Sequence, residues 1–393
     1  MFATVAMLTI AASASTTKVI YSFAGGKDGE YLDTDLVMDS AGNIYGTTVQ
    51  GGAFGGGTVF QLSPSGTGWT HTVLYSFTGG TDGGEPYKGV TLDSQGNLYG
   101  SAVAGGSGPC DGGCGVVYKL TNSGGSWTQS VIHSFTGGND GAGPGNGLTF
   151  DPHGNVYGMT PTGGAYGLGT IYQLKPQTNG TWKLNVIHAF TGGADGSSAS
   201  AGRLILDHAG NLYGVATVGG AYGFGVAFEL THSQTGWTLL PLYAFQDQPD
   251  GALPYGGLIF DKAGNLYGTT YYAGVNDVGT VYKLTHANGS WTETVLYSFK
   301  GGTDGSSPIS PLVSDKAGNL YGTTSDGGAS CACGVIFKLA HGTWTESVPY
   351  RFTGAPNAGF AYNGMVPDSA GNFYGATVHG GPTNDGTIYQ FMP

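Results

Sequence analysis

"DSQGNLYG" (Asp93–Gly100) reads at first as a small turn, yet it recurs along the chain. Near-copies are "DSAGNIYG" at Asp39, "DPHGNVYG" at Asp151, "DHAGNLYG" at Asp207, "DKAGNLYG" at Asp261 and Asp315, and "DSAGNFYG" at Asp368. The Gly opening each GN-x-YG stands at 42, 96, 154, 210, 264, 318 and 371, so successive steps are 54, 58, 56, 54, 54 and 53 residues. A period in the fifties is too long for most helical solenoids and suits a four-stranded propeller blade.

Each repeat splits into four short β-like pieces. In the fifth these are "GLIFD" (Gly257–Asp261), "NLYGTTYY" (Asn265–Tyr272), "GTVYKLT" (Gly279–Thr285) and "WTETVLYSF" (Trp291–Phe299). Turn signals separate them: "KAG", "AGVND" and "HANGS". The second and third pieces carry apolar residues on both faces, as expected of a sheet packed between two neighbours. The last repeat stops after "GTIYQFMP" and lacks a fourth strand, whereas "TTKVIYSF" (Thr16–Phe23) is a fourth strand with no repeat of its own. Joining the two closes the ring and removes exposed sheet edges. The expected fold is therefore all-β, a seven-bladed β-propeller of four-stranded blades, the last closed by the N-terminal strand.

Composition agrees. The 393 residues would allow two or three ordinary domains, but a closed array accounts for them as one, spanning 15–393. Gly numbers 76 and is periodic, mixed with Tyr, Phe, Trp, Val and Thr, which favours strands joined by tight turns. No stretch has helical periodicity. A net charge of −12 with only 13 Lys and Arg would repel a phosphate backbone, so nucleic-acid binding is not expected. Residues 1–14 end in Ala12-Ser13-Ala14, resembling a signal-peptidase site, but lack a positive n-region; a signal peptide or its remnant is expected there. No later apolar run is long enough to span a membrane.

The four cysteines form two tight pairs in matching places of two repeats. Cys110–Cys114 closes easily and fits an oxidising compartment, whereas Cys331–Cys333 is short and would be strained if formed. A zinc site would need two distant repeats to meet and is not expected.

The repeated residues read as scaffold. The Asp of D-x-x-G-N can accept backbone N–H groups across its turn, and its Gly supplies a positive φ. All six Trp (69, 127, 182, 237, 291, 344) stand at the start of a fourth strand, which marks packing positions. A second acid follows the fourth strand at Asp28, Asp82, Asp140, Asp195, Asp250 and Asp304, with Asn357 in the seventh place. A ring of carboxylates could hold calcium, but a single Asp before Gly is also an ordinary turn cap, and no D-x-D-x-D-G loop occurs. No cofactor is expected.

The pattern "LYSF-x-GG-x-DG … D-x-x-GNLYGTT … GTV-[FY]-x-L … W" resembles the GloVer tandem repeat of bacterial "choice-of-anchor" extracellular proteins, and its layout is kelch-like. Here it is carried by "VLYSFTGGTDGGEPYKGVTLDSQGNLYGSAVAGG" and "GTVYKLTHANGSWTETVLYSF", and it runs from Lys18 onwards. The resemblance implies an exported, surface-associated protein and supplies no catalytic residues. With no sorting tail before Pro393, plain secretion is the expectation.

A single site should break the sevenfold pattern, in the longer loops of the face opposite the D-x-x-G-N turns. Ahead of the first strands, Tyr87, Tyr255 and Tyr362 share a position that is Gly145, Ile309 or Asp33 elsewhere. Glu85 and Lys88 occur only in the second blade's loop, Asp33 and Asp35 enter the first blade, and Arg203 enters the fourth where most blades have Gly. The loops between second and third strands add Phe54, Tyr166, Tyr222 and Tyr272. Aromatics beside Asp and Asn can hold sugars or a protein partner, since ring faces stack and polar edges hydrogen-bond; they can equally cover loop backbone. The nine His are scattered, and no G-x-S-x-G or H-E-x-x-H occurs. The expectation is a secreted, monomeric, non-catalytic module binding carbohydrate or a surface protein. The alternatives are a carbohydrate-active hydrolase or lyase using Asp33 and Asp35, and a purely structural surface protein.

Overall fold

In a computed structural model, residues 15–199, 202–328 and 330–393 are described. The expected signal segment, 1–14, lies outside them. The chain forms seven four-stranded antiparallel blades in a ring, a seven-bladed β-propeller. The closing strand is β1 (Thr16–Ser22). The first blade runs β2 (Val37–Met38), β3 (Ile44–Thr48), β4 (Thr58–Ser65), β5 (Gly68–Ser76), paired in that order. The seventh takes Val366–Pro367, Phe373–Thr377 and Thr387–Met392 from the C-terminal end and β1 from the other. Thr16 pairs with Met392 and Ser22 with Thr387, so the ring closes as the sequence implies.

Every residue of β3 is buried, because a propeller blade has a neighbour on each face. The hydrophobic cores lie between blades. Phe23, Tyr374 and Ile388 of the seventh blade meet Leu36, Ile44 and Phe60 of the first in one such cluster. The Trp residues lock these contacts edge-on to the Tyr of the preceding blade's motif: Trp69 to Tyr374 at 5.8 Å, Trp182 to Tyr99 at 6.0 Å, Trp291 to Tyr213 at 6.4 Å. The fourth strand supplied by β1 has no Trp, and Tyr321 packs instead on Phe373 and Phe391, 5.0 and 6.0 Å away. One placement differs from expectation. Trp344 precedes its strand (Glu346–Arg351) and sits in the turn at φ 53°, because "AHGT" is a shorter connection than "THANGS". It still reaches Tyr267, at 5.9 Å.

The repeated Asp builds its hairpin as expected. Asp39 Oδ1 accepts the Ala41 and Asn43 N–H groups, each at 2.9 Å, and Oδ2 accepts Asn43 Nδ2 and the Tyr45 hydroxyl. The Asn N–H and side-chain amide bonds recur in all seven blades. The second acid caps its own loop. Asp82 accepts the Thr78 N–H and the Tyr75 hydroxyl, both at 2.9 Å. His133 and His188 replace that Tyr and make the equivalent contact to Asp140 and Asp195 at 3.2 and 2.9 Å. Both cysteine pairs are disulfides, Cys110–Cys114 and Cys331–Cys333. Among the described residues no helix is long and apolar enough to cross a membrane, and no three His, Cys, Asp or Glu cluster as metal ligands.

Two outer-strand carboxyls face these caps. Glu293 is pushed up to about 8 by burial and by Asp250 beside it; Glu346 is pushed up to about 7 by burial and by Asp304. Their Oε1 atoms are buried without a partner. The folded state therefore keeps protons that the unfolded chain has released. Their contribution is full below the unfolded carboxyl value and is lost as pH rises through about 7–8. The double variant Glu293→Gln/Glu346→Gln should melt higher than the parent at pH 9, by about 2 kcal/mol once solvent screening is allowed for, with little difference at pH 5. Melting curves across that range check it; a gap that does not widen with pH would refute it.

Candidate functional site

The loops that enter each first strand all turn at one equivalent residue. Tyr31, Glu85, Gly143, Ser198, Leu253, Ser307 and Phe360 have φ between 53° and 66°. Six of the seven are not glycine, an unusual backbone state for such residues. Main-chain bonds hold it: Glu85 N donates to Gly56 O at 2.9 Å, Leu253 N to Phe224 O at 2.9 Å, and Phe360 N to Cys333 O at 2.8 Å. One residue earlier each loop bridges to the segment after the second strand, as Glu30 does to Gln50 and Ser306 to Asp326. In the fifth and seventh blades the bridge lengthens into short extra strands, Ala252–Pro254 and Ala358–Gly359. Two residues past the pinned turn stand Asp33, Tyr87, Tyr255, Ile309 and Tyr362 in five of the blades.

There they wall a cavity of about 350 Å³. Every blade contributes: Asp33, Tyr87, Asn146, Gly202, Tyr255, Ile309 and Tyr362 come from the first to the seventh in turn. Lys88 Nζ donates to Asp33 Oδ1 at 2.6 Å and to Asn363 Oδ1 at 2.9 Å, tying the second blade to the first and seventh. Burial works against the Lys88 charge, but the Asp33 and Asp35 carboxylates more than offset it and its pKa is raised. Lys88 is thus a fixed cation and not a free amine nucleophile. Asp35, buried, accepts Gly364 N–H at 3.3 Å and lies 4.0 Å from Arg203 Nη2. Burial, with Glu85, Tyr31 and Asp33 nearby, pushes Tyr87 up to about 12, and burial likewise raises Tyr31 and Tyr362. The phenols stay neutral and can donate hydrogen bonds.

Asn146 is 2% exposed. Its Nδ2 donates to Gly202 O at 2.9 Å, which orients the amide and leaves Oδ1 without a partner. Asn363, 1% exposed, accepts from Lys88 and has an unpaired Nδ2. Buried polar atoms without partners are uncommon and need a reason.

Six of the eleven singled-out residues meet in this cavity: Asp33, Asp35, Tyr87, Lys88, Tyr255 and Tyr362. Arg203 lines a second cavity of about 290 Å³ between the first strands, which shares Asp35 and Pro311 with the first. It stands in the row of Gly89, Gly147 and Gly257, and Gly147 leaves it room: a Cβ there would meet the Arg203 Cβ at 3.2 Å. Phe54, Tyr166, Tyr222 and Tyr272 are 66, 63, 56 and 50% exposed and are not in the wall. Sequence reasoning passed over Asn146 and Asn363, which sit in N-G dipeptides that read as turns, and Tyr31, which lies at the pinned turn itself. Chemically, the cavity sets Tyr87, Tyr255 and Tyr362 beside the polar groups of Asp33, Asp35, Lys88 and Asn146. Each of its two carboxylates lies within 4.0 Å of a cation.

The chain is 25% identical to a Paenibacillus sp xyloglucanase over 305 residues, 67% of this chain and 26% of that enzyme. It therefore spans about a quarter of the length of that curated relative. Solved structures of similar shape include a Bacteroides uniformis protein described as a candidate 6-phosphogluconolactonase, with TM-score 0.54, 15% identity, and 85% and 88% of the two chains covered. A Lactobacillus plantarum protein matches with TM-score 0.54 and 13% identity over 88% of this chain and 90% of its own. At such identities the likeness shows the fold alone. The profile of the Gloeobacter/Verrucomicrobia repeat matches residues 4–148, 108–329 and 203–393, overlapping stretches that run through all seven blades. The chain belongs to the Gloeobacter/Verrucomicrobia repeat family.

Proposed function

We propose that this protein is an exported carbohydrate-binding module and that it holds its ligand at the axial cavity. The observation that carries this reading is that Tyr87, Tyr255 and Tyr362 line the same cavity as Asp33, Lys88 and Asn146. Tyrosine faces stack on sugar rings, and fixed donors and acceptors match hydroxyls. The two disulfides and the scarcity of charge suit an extracellular setting. The xyloglucanase relative supports a carbohydrate ligand. On a glycan array, Tyr87→Ala or Tyr255→Ala should weaken binding about tenfold or more, the loss of one aromatic contact being worth about 1.4 kcal/mol. Binding undiminished in both variants would rule out the cavity as the site.

That relative also favours a second reading, hydrolysis at the same cavity by Asp33 and Asp35. A reducing-sugar assay separates the two. The binding reading expects no release; release abolished by Asp33→Asn or Asp35→Asn would establish an enzyme.

A further inference from the structure

The cavity is encircled. Each of the seven blades supplies part of its wall, where Lys88 is tied to Asn363. A groove that takes an internal stretch of polymer must be open on two sides, whereas residues of all seven blades surround this one. Its volume of about 350 Å³ is near the lower end of small-molecule pockets (~300–1,000 Å³), room for an end group and not for a length of chain. In its wall Lys88 pairs with Asp33, and Asp35 lies 4.0 Å from Arg203 of the neighbouring cavity. An ionised ligand would have to displace one of these partners.

Resting on the carbohydrate reading above, we propose that the mouth takes the terminus of a neutral glycan, entering end-first along the axis. The protein counts chain ends and not chain length.

Calorimetry on the full-length protein tests this with linear cello-, xylo- and malto-oligosaccharides, their long soluble polymers, and cyclodextrins as ring forms without ends. The expected result is a series that binds with one protein per chain whatever the chain length. If that series is the malto-oligosaccharides, cyclodextrins should bind at least about tenfold more weakly. Several proteins per long chain, or cyclodextrins matching linear maltosides, would overturn end recognition and leave carbohydrate binding standing. No binding to any of these probes would remove the carbohydrate reading, and this inference with it.

Discussion

A chain shortened to begin at Ala24 is expected to melt about 6 °C below the full-length protein and to self-associate. The deletion takes the fourth strand from the seventh blade, whose ladder runs from Thr16↔Met392 to Ser22↔Thr387. It also takes Phe23, fully buried, together with Val19, Ile20 and Tyr21, which pack against the cores on either side. Truncating a buried Phe alone costs about 3–5 kcal/mol, and each ladder bond about 1 kcal/mol net. Ordering eight residues offsets much of this at about 1–2 kcal/mol each, leaving a net loss of about 5 kcal/mol. The exposed edge of Thr387–Met392 then becomes a template for another chain. Differential scanning calorimetry and light scattering read both effects. A synthetic Thr16–Phe23 peptide should restore part of the melting temperature by adding the missing strand in trans. An unchanged melting temperature would mean that the ring does not depend on this closure.

The next largest effect is expected at a single repeated Asp. Asp261→Ala should destabilise by about 3 kcal/mol, as much as a core truncation. The carboxylate accepts from Ala263 N at 2.8 Å, Asn265 N at 2.9 Å, Asn265 Nδ2 at 2.7 Å and the Tyr267 hydroxyl at 3.0 Å. Hydrogen bonds to a charged group contribute about 1.5–3 kcal/mol each, and four sharing one carboxylate are not additive. Asp261→Asn, which keeps acceptor capacity at one oxygen only, should cost about half. The pH dependence gives a second readout. Burial pushes Asp261 up, but the bonds from Asn265, Tyr267 and Ala263 outweigh it and its pKa is lowered. The unfolded chain therefore takes up a proton first. The stabilisation is present above the unfolded carboxyl value of about 4 and is lost as pH falls through the folded value. Asp39, Asp315 and Asp368 are lowered in the same way, so the parent should lose stability steeply in acid. The Asp261→Ala variant should lose less between pH 5 and pH 3; an equal loss would contradict the assigned role of the carboxylate.

The blades were legible because each rests on short-range chemistry that repeats. Asp93, Gly96 and Asn97 make a turn through contacts within five residues of one another. Alternating burial follows from strand geometry, and closure followed from counting fourth strands at the two ends. The mouth was legible only where it departs from the repeat. Tyr87, Tyr255, Tyr362, Lys88 and the two Asp differ visibly from their counterparts. Asn146 and Asn363 were hidden because their role depends on partners 56 and 275 residues away in sequence, Gly202 and Lys88. The left-handed turns at Glu85, Leu253 and Ser307 were hidden as well. Sequence reasoning looks for glycine at such positions, whereas tertiary main-chain bonds impose the conformation on whatever residue stands there.

Those seven pinned turns carry a consequence for how the family can diversify. Because main-chain groups fix them, the side chains downstream can be exchanged without disturbing the frame that presents them. The positions of Asp33, Tyr87, Gly145, Tyr255, Ile309 and Tyr362 already hold acids, aromatics, an aliphatic and a glycine on one backbone path. The ring thus works as a set of interchangeable sockets around a common axis, much as antibody loops vary on a constant framework. On the binding role proposed above, swapping these few residues would be the shortest route to a new specificity.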